Sequence, residues 1–301
     1  MLLERFSGQV KFLPLKRNAS TALALKKQEK ESVIAQVGVA HFIHIDHIKI
    51  EKKKMVIMNN YNSIKAVNAS LLKECLKSPM HGWQYLHGDR TDSGAMSLGR
   101  LVHSLVLEPE SHDEKYFVIG KGERVEKYRE QAGSKEIVRE AQLLEAKLIA
   151  QSVLENESAI ELLKDAKREV DLTFEVNGIP CKARIDAHTN DTLIELKTSN
   201  EIYARDFTSA IIRFDYALQM AFYREALKRN GIEIRRAVII QATTDSPYLS
   251  NVYELDDDFL QYGDNRINKS FNIAADLLKG IKPAQDKKIK KLNFPSWAIT
   301  E

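Results

Sequence analysis

The sequence predicts an α/β fold in which a mixed central sheet is flanked by helices. Apolar residues recur at helical spacing between residue 68 and about residue 165. Alternating, strand-like segments follow between residues 168 and 199, and a helix, a buried strand and a final helix come after them. Sheets that are covered by helices arise from chains with such an order of elements.

Composition favours a soluble globular protein. Hydrophobic residues make up 44% of the 301 positions and charged residues 29%. No stretch approaches the roughly 18 to 20 apolar residues that a membrane-spanning helix requires. The N-terminus lacks the blocks of a secretory signal, so we expect a cytoplasmic location.

Net charge and cysteine content exclude further classes of protein. The formal net charge is only +3, so a nucleic acid would have to be held by a local patch rather than by a long-range field. Cys75 and Cys181 are the two cysteines of the sequence, too few for a disulfide framework or for a four-cysteine iron–sulfur cluster.

Helices are predicted ahead of the sheet. In NASLLKECLKSP, Asn68 or Ser70 can cap a short helix, and Pro79 follows its end. In AMSLGRLVHSLVLEP, apolar residues at helical spacing predict a second helix, which Pro109 stops. A long amphipathic segment is predicted from about residue 136 to residue 165.

The sheet is predicted from three strands that follow one another closely. Asn177-Gly178 is a hairpin signal between two alternating segments, and TLIELKTS forms the third strand. A helix over residues 206–229 ends at Asn230-Gly231, where glycine favours a left-handed cap. The buried-looking strand AVIIQA and a helix over residues 256–279 complete the fold.

Two acidic residues fall where the second and third strands meet. Asp186 ends one strand and Glu195 lies on the next, and the short turn HTND makes these strands neighbours. Phosphodiester hydrolysis needs a hard cation held by oxygen ligands, which two carboxylates can supply. Lys197 lies two residues beyond Glu195, on the same strand face, where an ammonium group can orient water or stabilise a charged transition state.

Taken alone, Glu195 and Lys197 would be interpreted as a surface ion pair. Other residues favour a catalytic interpretation. Gln219 and Tyr223 lie four positions apart on one helix face, and His103 lies one helical turn after a glycine that leaves room beside it. Because a neutral imidazole is a competent metal ligand, the group predicts a metal-dependent hydrolytic site.

The same pattern resembles a known superfamily. A glycine before an aspartate strand, a D/E-x-K strand and a Q-x-x-x-Y helix are similar to the RecB-type branch of PD-(D/E)XK nucleases. The matching residues here are Gly178, Asp186, Glu195-Leu196-Lys197, Gln219 and Tyr223. The segment SLGRLVHSLVLEPE, together with N-A-S-x-L-K, S-P and LNFPSWA, resembles RecE-type exonucleases. The likeness runs from about residue 55 to the end of the sequence.

The resemblance implies a restriction-endonuclease-like core with a metal site. His103, Asp186 and Glu195 would ligate Mg²⁺, with Mn²⁺ as a substitute, helped by the Leu196 carbonyl. RecE-type enzymes have aspartate where this chain has Glu195, a difference that bears on metal geometry and not on the class of enzyme.

Catalytic roles follow from the same resemblance. Lys197 would act on the nucleophile, while Gln219 and Tyr223 would support the site or contact DNA. Such enzymes are exodeoxyribonucleases that degrade linear double-stranded DNA from the 5′ end and leave single-stranded 3′ tails for phage-type recombination. They form ring-shaped homo-oligomers and work with a single-strand annealing protein, so we expect these partners here.

Other functions remain open because one fold hosts many activities. The first alternative is a PD-(D/E)XK endonuclease or a single-strand-specific nuclease. The second is a catalytically inactive DNA-binding recombination factor, against which the joint presence of the candidate His, Asp, Glu, Lys and Gln residues argues.

Residues 1–54 differ from residues 55–301, which we predict to form the exonuclease domain. The first segment lacks sustained periodicity, and we expect a poorly ordered or non-native extension. The alternative is an interaction arm or an extra DNA contact that uses Lys16, Arg17, Lys26 and Lys27. Within it, HFIHIDHIKI brings three histidines near Asp46, but on a strand they would not face one way, which favours surface histidines on a half-buried strand. The lysines of KPAQDKKIKKL are interpreted as a solvated face more readily than as a DNA contact.

A first prediction concerns this boundary. The EKKK before Met55 implies purine-rich codons typical of a bacterial ribosome-binding site, so Met55 or Met58 is a candidate start. A chain that begins at Met55 should unfold cooperatively and digest linear duplex DNA at a rate close to that of the full chain. Insolubility, or loss of most of the activity at matched salt, would place residues 1–54 within the enzyme.

Overall fold

The structure, a computed structural model, describes residues 61–89, 93–285, 289 and 291–293. The histidine-rich segment at residues 41–50, the boundary at residue 54 and most of the C-terminal lysines and LNFPSWA segment lie outside these residues. What the sequence predicts for those segments therefore stays a prediction.

Helices occupy most of the chain before the sheet and alternate with strands after it. In order they are α1 Ala69–Lys77, α2 Pro79–His87, α3 Gly94–Leu107, α4 His112–Lys115, α5 Arg129–Ala132, α6 Glu140–Leu154, α7 Glu157–Lys164, α8 Ala204–Arg213, α9 Tyr216–Arg229 and α10 Asp257–Leu278. Short 3₁₀ turns lie at Pro109–Ser111 and Val125–Tyr128.

The strands form one large mixed sheet and one small sheet. They are β1 Tyr116–Ile119, β2 Glu136–Arg139, β3 Lys167–Val176, β4 Ile179–His188, β5 Thr192–Ser199, β6 Arg236–Thr243 and β7 Ser250–Leu255. Strands β3 to β7 lie in sequence order, antiparallel except for the parallel pair β5 and β6, while β1 and β2 pair in parallel. The predicted fold class, a mixed central sheet flanked by helices, is confirmed.

Alternating side chains of the large sheet pack into two hydrophobic cores, one on each face. On β5, Leu193 packs into the core that contains α1, α8, α9 and α10, and Ile194 packs into the core that contains α3, α6 and α7. On β6, Ile239 and Ile240 divide in the same way. Because side chains alternate along a strand, a run of apolar residues produces a sheet that is covered on both faces.

Local signals in the sequence account for several element ends. Asn68 caps α1 by accepting the Leu71 N–H at 2.8 Å. The hairpin between β3 and β4 turns at Asn177 and Gly178, whose φ angles of 52° and 73° are those of a type I′ turn. The helices predicted at NASLLKECLK and at AMSLGRLVHSLVL are confirmed, and so is the final helix.

Two of the predicted helical segments were wrong. The segment over residues 136–165 begins with strand β2 and then breaks into two helices, because the Asn156 side chain accepts the Ala159 N–H at 3.1 Å and starts α7. The helix predicted over residues 206–229 is also two helices. Asp215 interrupts it with a φ of 52°, and the Arg266 guanidinium holds the Asp215 carboxylate at 2.7 and 2.9 Å.

Two further elements differ from the prediction. Pro79 does more than stop the first helix, because it begins α2 one residue after the end of α1. Strands β1, β2 and β7 were not predicted, since four to six residues at the sheet edges carry little periodic signal. In the part of the chain that is described, no helix is long and apolar enough to span a membrane.

A prediction follows for the crossing of α9 and α10. A Cβ at Gly263 would lie 2.2 Å from the Ala217 carbonyl oxygen, and a backbone atom cannot move aside to relieve this overlap. A Cβ at Gly94 would meet nothing within 4 Å. Gly263→Ala should therefore destabilise the fold by about 3 kcal/mol, at the upper end of overpacking effects. Urea unfolding measures this change. Gly94→Ala is the matched control, with a change below about 1 kcal/mol, and equal stability of the two variants would contradict the close approach.

Candidate metal centre

The candidate site lies where β4 and β5 separate. These strands pair only at Ala187 with Ile194 and at His188 with Leu193. Asp186 and Glu195 are the next residues on the two strands, and both are buried. The early end of the pairing creates a fork, and the two predicted carboxylates lie in it.

Backbone groups of Leu196 are satisfied by side chains at this fork. The Leu196 N–H donates to Asp186 Oδ2 at 2.8 Å, and the Leu196 carbonyl accepts from His103 Nε2 at 2.8 Å. The other imidazole nitrogen, Nδ1, lies 3.6 Å from Asp186 Oδ2. Because buried backbone groups need partners, these bonds fix Asp186 and His103 beside each other.

Glu195 is held by groups from two elements. Its Oε1 accepts from Lys197 Nζ on the same strand and from Gln219 Nε2 on α9, the latter at 2.5 Å. Gln219 Nε2 also lies 3.1 Å from the Tyr223 hydroxyl. The side chain of Glu195 is only 1% exposed, and among the described residues no group donates a hydrogen bond to its Oε2.

Glu169 on β3 is a further carboxylate of the site. Its neighbours Arg168 and Val170 pair with Ala187 and Ile185, so Glu169 stands opposite Asp186. Like charges placed directly opposite destabilise a sheet, and the φ of 48° at Glu169 is unusual for a residue with a side chain. Such local strain is characteristic of functional sites.

Three of these residues can converge on one ion. His103, Glu169 and Asp186 each offer one ligand atom, and these atoms lie within 4.8 Å of one another. Burial and the neighbouring Asp186 raise the pKa of Glu169 to about 8, and burial raises the pKa of Asp186 to about 6. Burial and Lys197 lower the pKa of His103 to about 4, so its imidazole is neutral at pH 7.

This donor set fits a divalent cation. Burial and Asp186 also raise the pKa of Glu195, so the site gathers carboxyl groups whose charges are unfavourable without a counter-ion. The unpartnered Oε2 of Glu195 is a further oxygen that an ion or an ordered water can satisfy. Oxygen ligands with one imidazole suit Mg²⁺ or Mn²⁺.

A cleft of about 890 Å³ opens onto the site. His103, Glu169 and Asp186 line it, together with Lys197 and Gln219. Basic side chains also line its walls, namely Lys73, Arg100, Lys115 and Arg184. Three of these basic side chains are already paired with carboxylates, Arg100 with Glu136, Lys115 with Glu108 and Arg184 with Asp171.

The structure brings the predicted site residues together in two connected groups. His103, Asp186 and the Leu196 backbone form one, and Glu195 joins the Lys197, Gln219 and Tyr223 side chains in the other. Their roles as ligands and catalysts stay predictions.

Sequence reasoning missed Glu169 and Lys73. Glu169 lies on the polar face of β3, where apolar and polar residues alternate as in any half-buried strand. Only the register of the hairpin, which places residue 169 opposite residue 186, could have indicated that Glu169 joins the site. Lys73 lies on α1, where a lysine is commonly a solvated residue, and its Nζ reaches Gln219 Oε1 at 2.8 Å. Lys73 is the lysine of the N-A-S-x-L-K element that resembles RecE-type exonucleases, but the sequence analysis assigned no role to it.

The fold and the site together define a member of the PD-(D/E)XK superfamily. Residues 68–290 match the family DUF3799, described as a PDDEXK-like domain of unknown function, and the chain belongs to this family. No curated protein matches the sequence.

The comparison with solved structures gives one match that shares the fold and one weaker match. A candidate exonuclease from Eubacterium rectale matches with a TM-score of 0.57 at 17% identity, covering 81% of this chain and 94% of that one. A phage-related exonuclease from Haemophilus somnus 129PT matches with a TM-score of 0.33 at 13% identity, covering 72% of this chain and 96% of that one. The first match agrees with a PD-(D/E)XK core. The TM-score of the second match is too low to support a shared fold.

The raised carboxyl pKa values predict pH-dependent metal binding. Protons compete with the ion for the oxygens of Glu169, with a pKa of about 8, and of Asp186, with a pKa of about 6. Affinity for Mn²⁺ should therefore rise between pH 6 and pH 8, and roughly one proton should be released per ion at pH 7. Calorimetry at pH 7 in two buffers of different ionisation enthalpy measures this release.

Glu169→Gln provides the specific control for that prediction. It should weaken Mn²⁺ binding and remove most of the proton release at pH 7, because the group that is protonated there is gone. The exposed Glu110, changed to Gln, should leave both quantities unaltered. Unchanged affinity in Glu169→Gln would exclude this carboxylate from the metal site.

Proposed function

We propose that this chain is a metal-dependent DNA exonuclease that degrades linear double-stranded DNA in the 5′ to 3′ direction and leaves single-stranded 3′ tails. One observation carries the proposal. Glu195, buried and bonded to Lys197 and Gln219, keeps one oxygen that no described residue donates to, at the fork where His103 and Asp186 lie side by side.

Each residue has a distinct task in this proposal. Asp186 and His103, with Glu195, Glu169 and the Leu196 carbonyl as further candidates, would hold the cation. Positive charge for the phosphate, and a lowered pKa for an attacking water, are what a bound Mg²⁺ or Mn²⁺ would supply there. Basic walls of the cleft would receive neighbouring phosphates of the DNA.

Lys197 acts through its charge. Burial alone would lower its pKa, but Glu195 and Asp186 hold the pKa above the usual lysine range, so Lys197 stays protonated at neutral pH. A protonated amine is an electrostatic partner and a poor general base. It would orient the nucleophilic water and stabilise negative charge that develops on the phosphate.

The finer assignments rest on the resemblance to RecE-type exonucleases. It supports the exonucleolytic mode, the 5′ to 3′ direction and the role in phage-type recombination. It also supports a ring-shaped homo-oligomer and a single-strand annealing protein as partner. The Eubacterium rectale protein with the same fold is named as a candidate exonuclease, which agrees with the first of these points.

Lys197→Ala tests the proposed chemistry. It should lower the rate of Mg²⁺-dependent cleavage at least about 100-fold, the loss typical of removing a preorganised electrostatic contact. DNA affinity in Ca²⁺, which we expect to bind without supporting efficient turnover, should change little. Lys279→Ala is the control, since Lys279 is exposed and pairs with Asp276 away from the cleft. Substantial turnover by Lys197→Ala would contradict the mechanism.

A panel of DNA substrates tests the proposed mode of attack. Linear duplex DNA labelled at either 5′ or 3′ ends should lose the 5′ label first and become single-stranded from that side. Covalently closed circular duplex should resist digestion. Cleavage of the circle would favour the endonuclease alternative, and digestion of single strands alone would favour the single-strand-specific one.

A further inference from the structure

Lys73 reaches the candidate active site from outside the sheet. It lies on α1, and its Nζ donates to Gln219 Oε1 on α9 at 2.8 Å. The same Nζ lies 5.3 Å from the centre of the Tyr216 ring, and Lys197 Nζ lies 5.2 Å from that centre. Two ammonium groups from different elements thus face one aromatic ring beside Glu195.

The hydrogen bond from Lys73 determines which end of the Gln219 amide faces Glu195. The amide has one acceptor end and one donor end. With Oε1 held by Lys73, Nε2 faces Glu195 Oε1 at 2.5 Å and the Tyr223 hydroxyl at 3.1 Å. A rotated amide would place an oxygen against a carboxylate and an NH₂ group against an ammonium, and both contacts are repulsive.

Stability of the fold does not explain a lysine at this position. Burial and then Lys197 lower the pKa of Lys73 to about 7, so the protein environment disfavours its charge. The charged groups around it are Lys197 and Glu195 from β5, Asp215 before α9, and Lys77 on α1. A position that is unfavourable for folding and adjacent to a reactive site indicates a role in that site.

We propose that Lys73 is a positioning residue that acts through Gln219 to hold Glu195 and Tyr223 in their working geometry. This inference rests on the proposed nuclease function. Lys73 touches neither Glu195 nor the metal ligands by any hydrogen bond among the described residues, and its effect passes through the amide. Without Lys73, the amide can rotate, and Glu195 Oε1 loses its second donor while DNA contacts elsewhere in the cleft remain.

The decisive experiment is a double-mutant cycle on the full chain. Lys73→Met removes the ammonium group and keeps a long apolar stem, and Gln219→Ala removes the amide through which it acts. Values of kcat and KM for Mg²⁺-dependent digestion of linear duplex DNA are measured for both variants and for their combination. Lys77→Met is the matched control, because Lys77 lies one turn later on α1, is 58% exposed and pairs with Glu74.

We expect Lys73→Met to lower kcat roughly tenfold to a hundredfold, the loss that follows when a charge-assisted hydrogen bond no longer positions a catalytic group. KM should change by less than about twofold, since uniform substrate binding is retained. The double variant should be no slower than Gln219→Ala alone. Lys73→Arg should recover most of kcat because it keeps the charge and the donors.

Several results would overturn the inference. One is a kcat for Lys73→Met within about twofold of the wild-type kcat. Another is a double variant in which the two losses of kcat add. The third is a loss of kcat in Lys73→Arg as large as in Lys73→Met, which would indicate that Lys73 acts by packing. If Lys73→Met fails to fold, Lys73→Gln takes its place in the cycle, and the same comparisons with the wild type and with Gln219→Ala decide.

A second readout separates this inference from the proposed function. The side-chain NH₂ signals of Gln219, assigned by their absence in Gln219→Ala, should shift in the NMR spectrum of Lys73→Met and stay in place in Lys77→Met. A wild-type chain that cleaves no DNA would refute the proposed function. Signals that stay in place in Lys73→Met would refute the inference on Lys73 even if the wild-type chain cleaves DNA.

Discussion

The early end of the pairing between β4 and β5 is the constraint on which the site depends. If the strands paired along their full length, the Leu196 backbone would form hydrogen bonds with the β4 backbone. The Asp186 side chain would then have no free Leu196 N–H to accept from. Because the strands separate after Ala187 and Ile194, Leu196 takes Asp186 and His103 as partners instead. A backbone requirement for hydrogen bonds thus assembles the candidate ligands.

Charge at the fork follows from this geometry. Burial raises the pKa values of Glu169, Asp186 and Glu195, and their mutual repulsion adds to it at Glu169 and Glu195. Lys197 neutralises part of this charge, but in the described part of the chain one oxygen of Glu195 receives no hydrogen bond. Buried like charges are costly in a folded protein, so a site of this kind is explained by a cation that binds there.

The sequence predicted the fold class and the centre of the site because both depend on local spacing. The i, i+2 relation of Glu195 and Lys197 and the i, i+4 relation of Gln219 and Tyr223 follow from strand and helix geometry alone. Glu169 was missed because it joins the site through the register of a hairpin, and the break at Asp215 was missed because its left-handed conformation is held by distant Arg266. Contacts between distant elements leave no periodic signal.

Diffraction from crystals soaked in Mn²⁺ would test the central claim most directly. At a wavelength where manganese scatters anomalously, the account predicts a strong difference peak at the fork, within bonding distance of His103, Asp186 and Glu169. Glu169→Gln should weaken that peak. The assignment of this site as the metal centre would be contradicted if the fork showed no peak at Mn²⁺ concentrations that support hydrolysis. A peak that lies at other residues instead would contradict it as well.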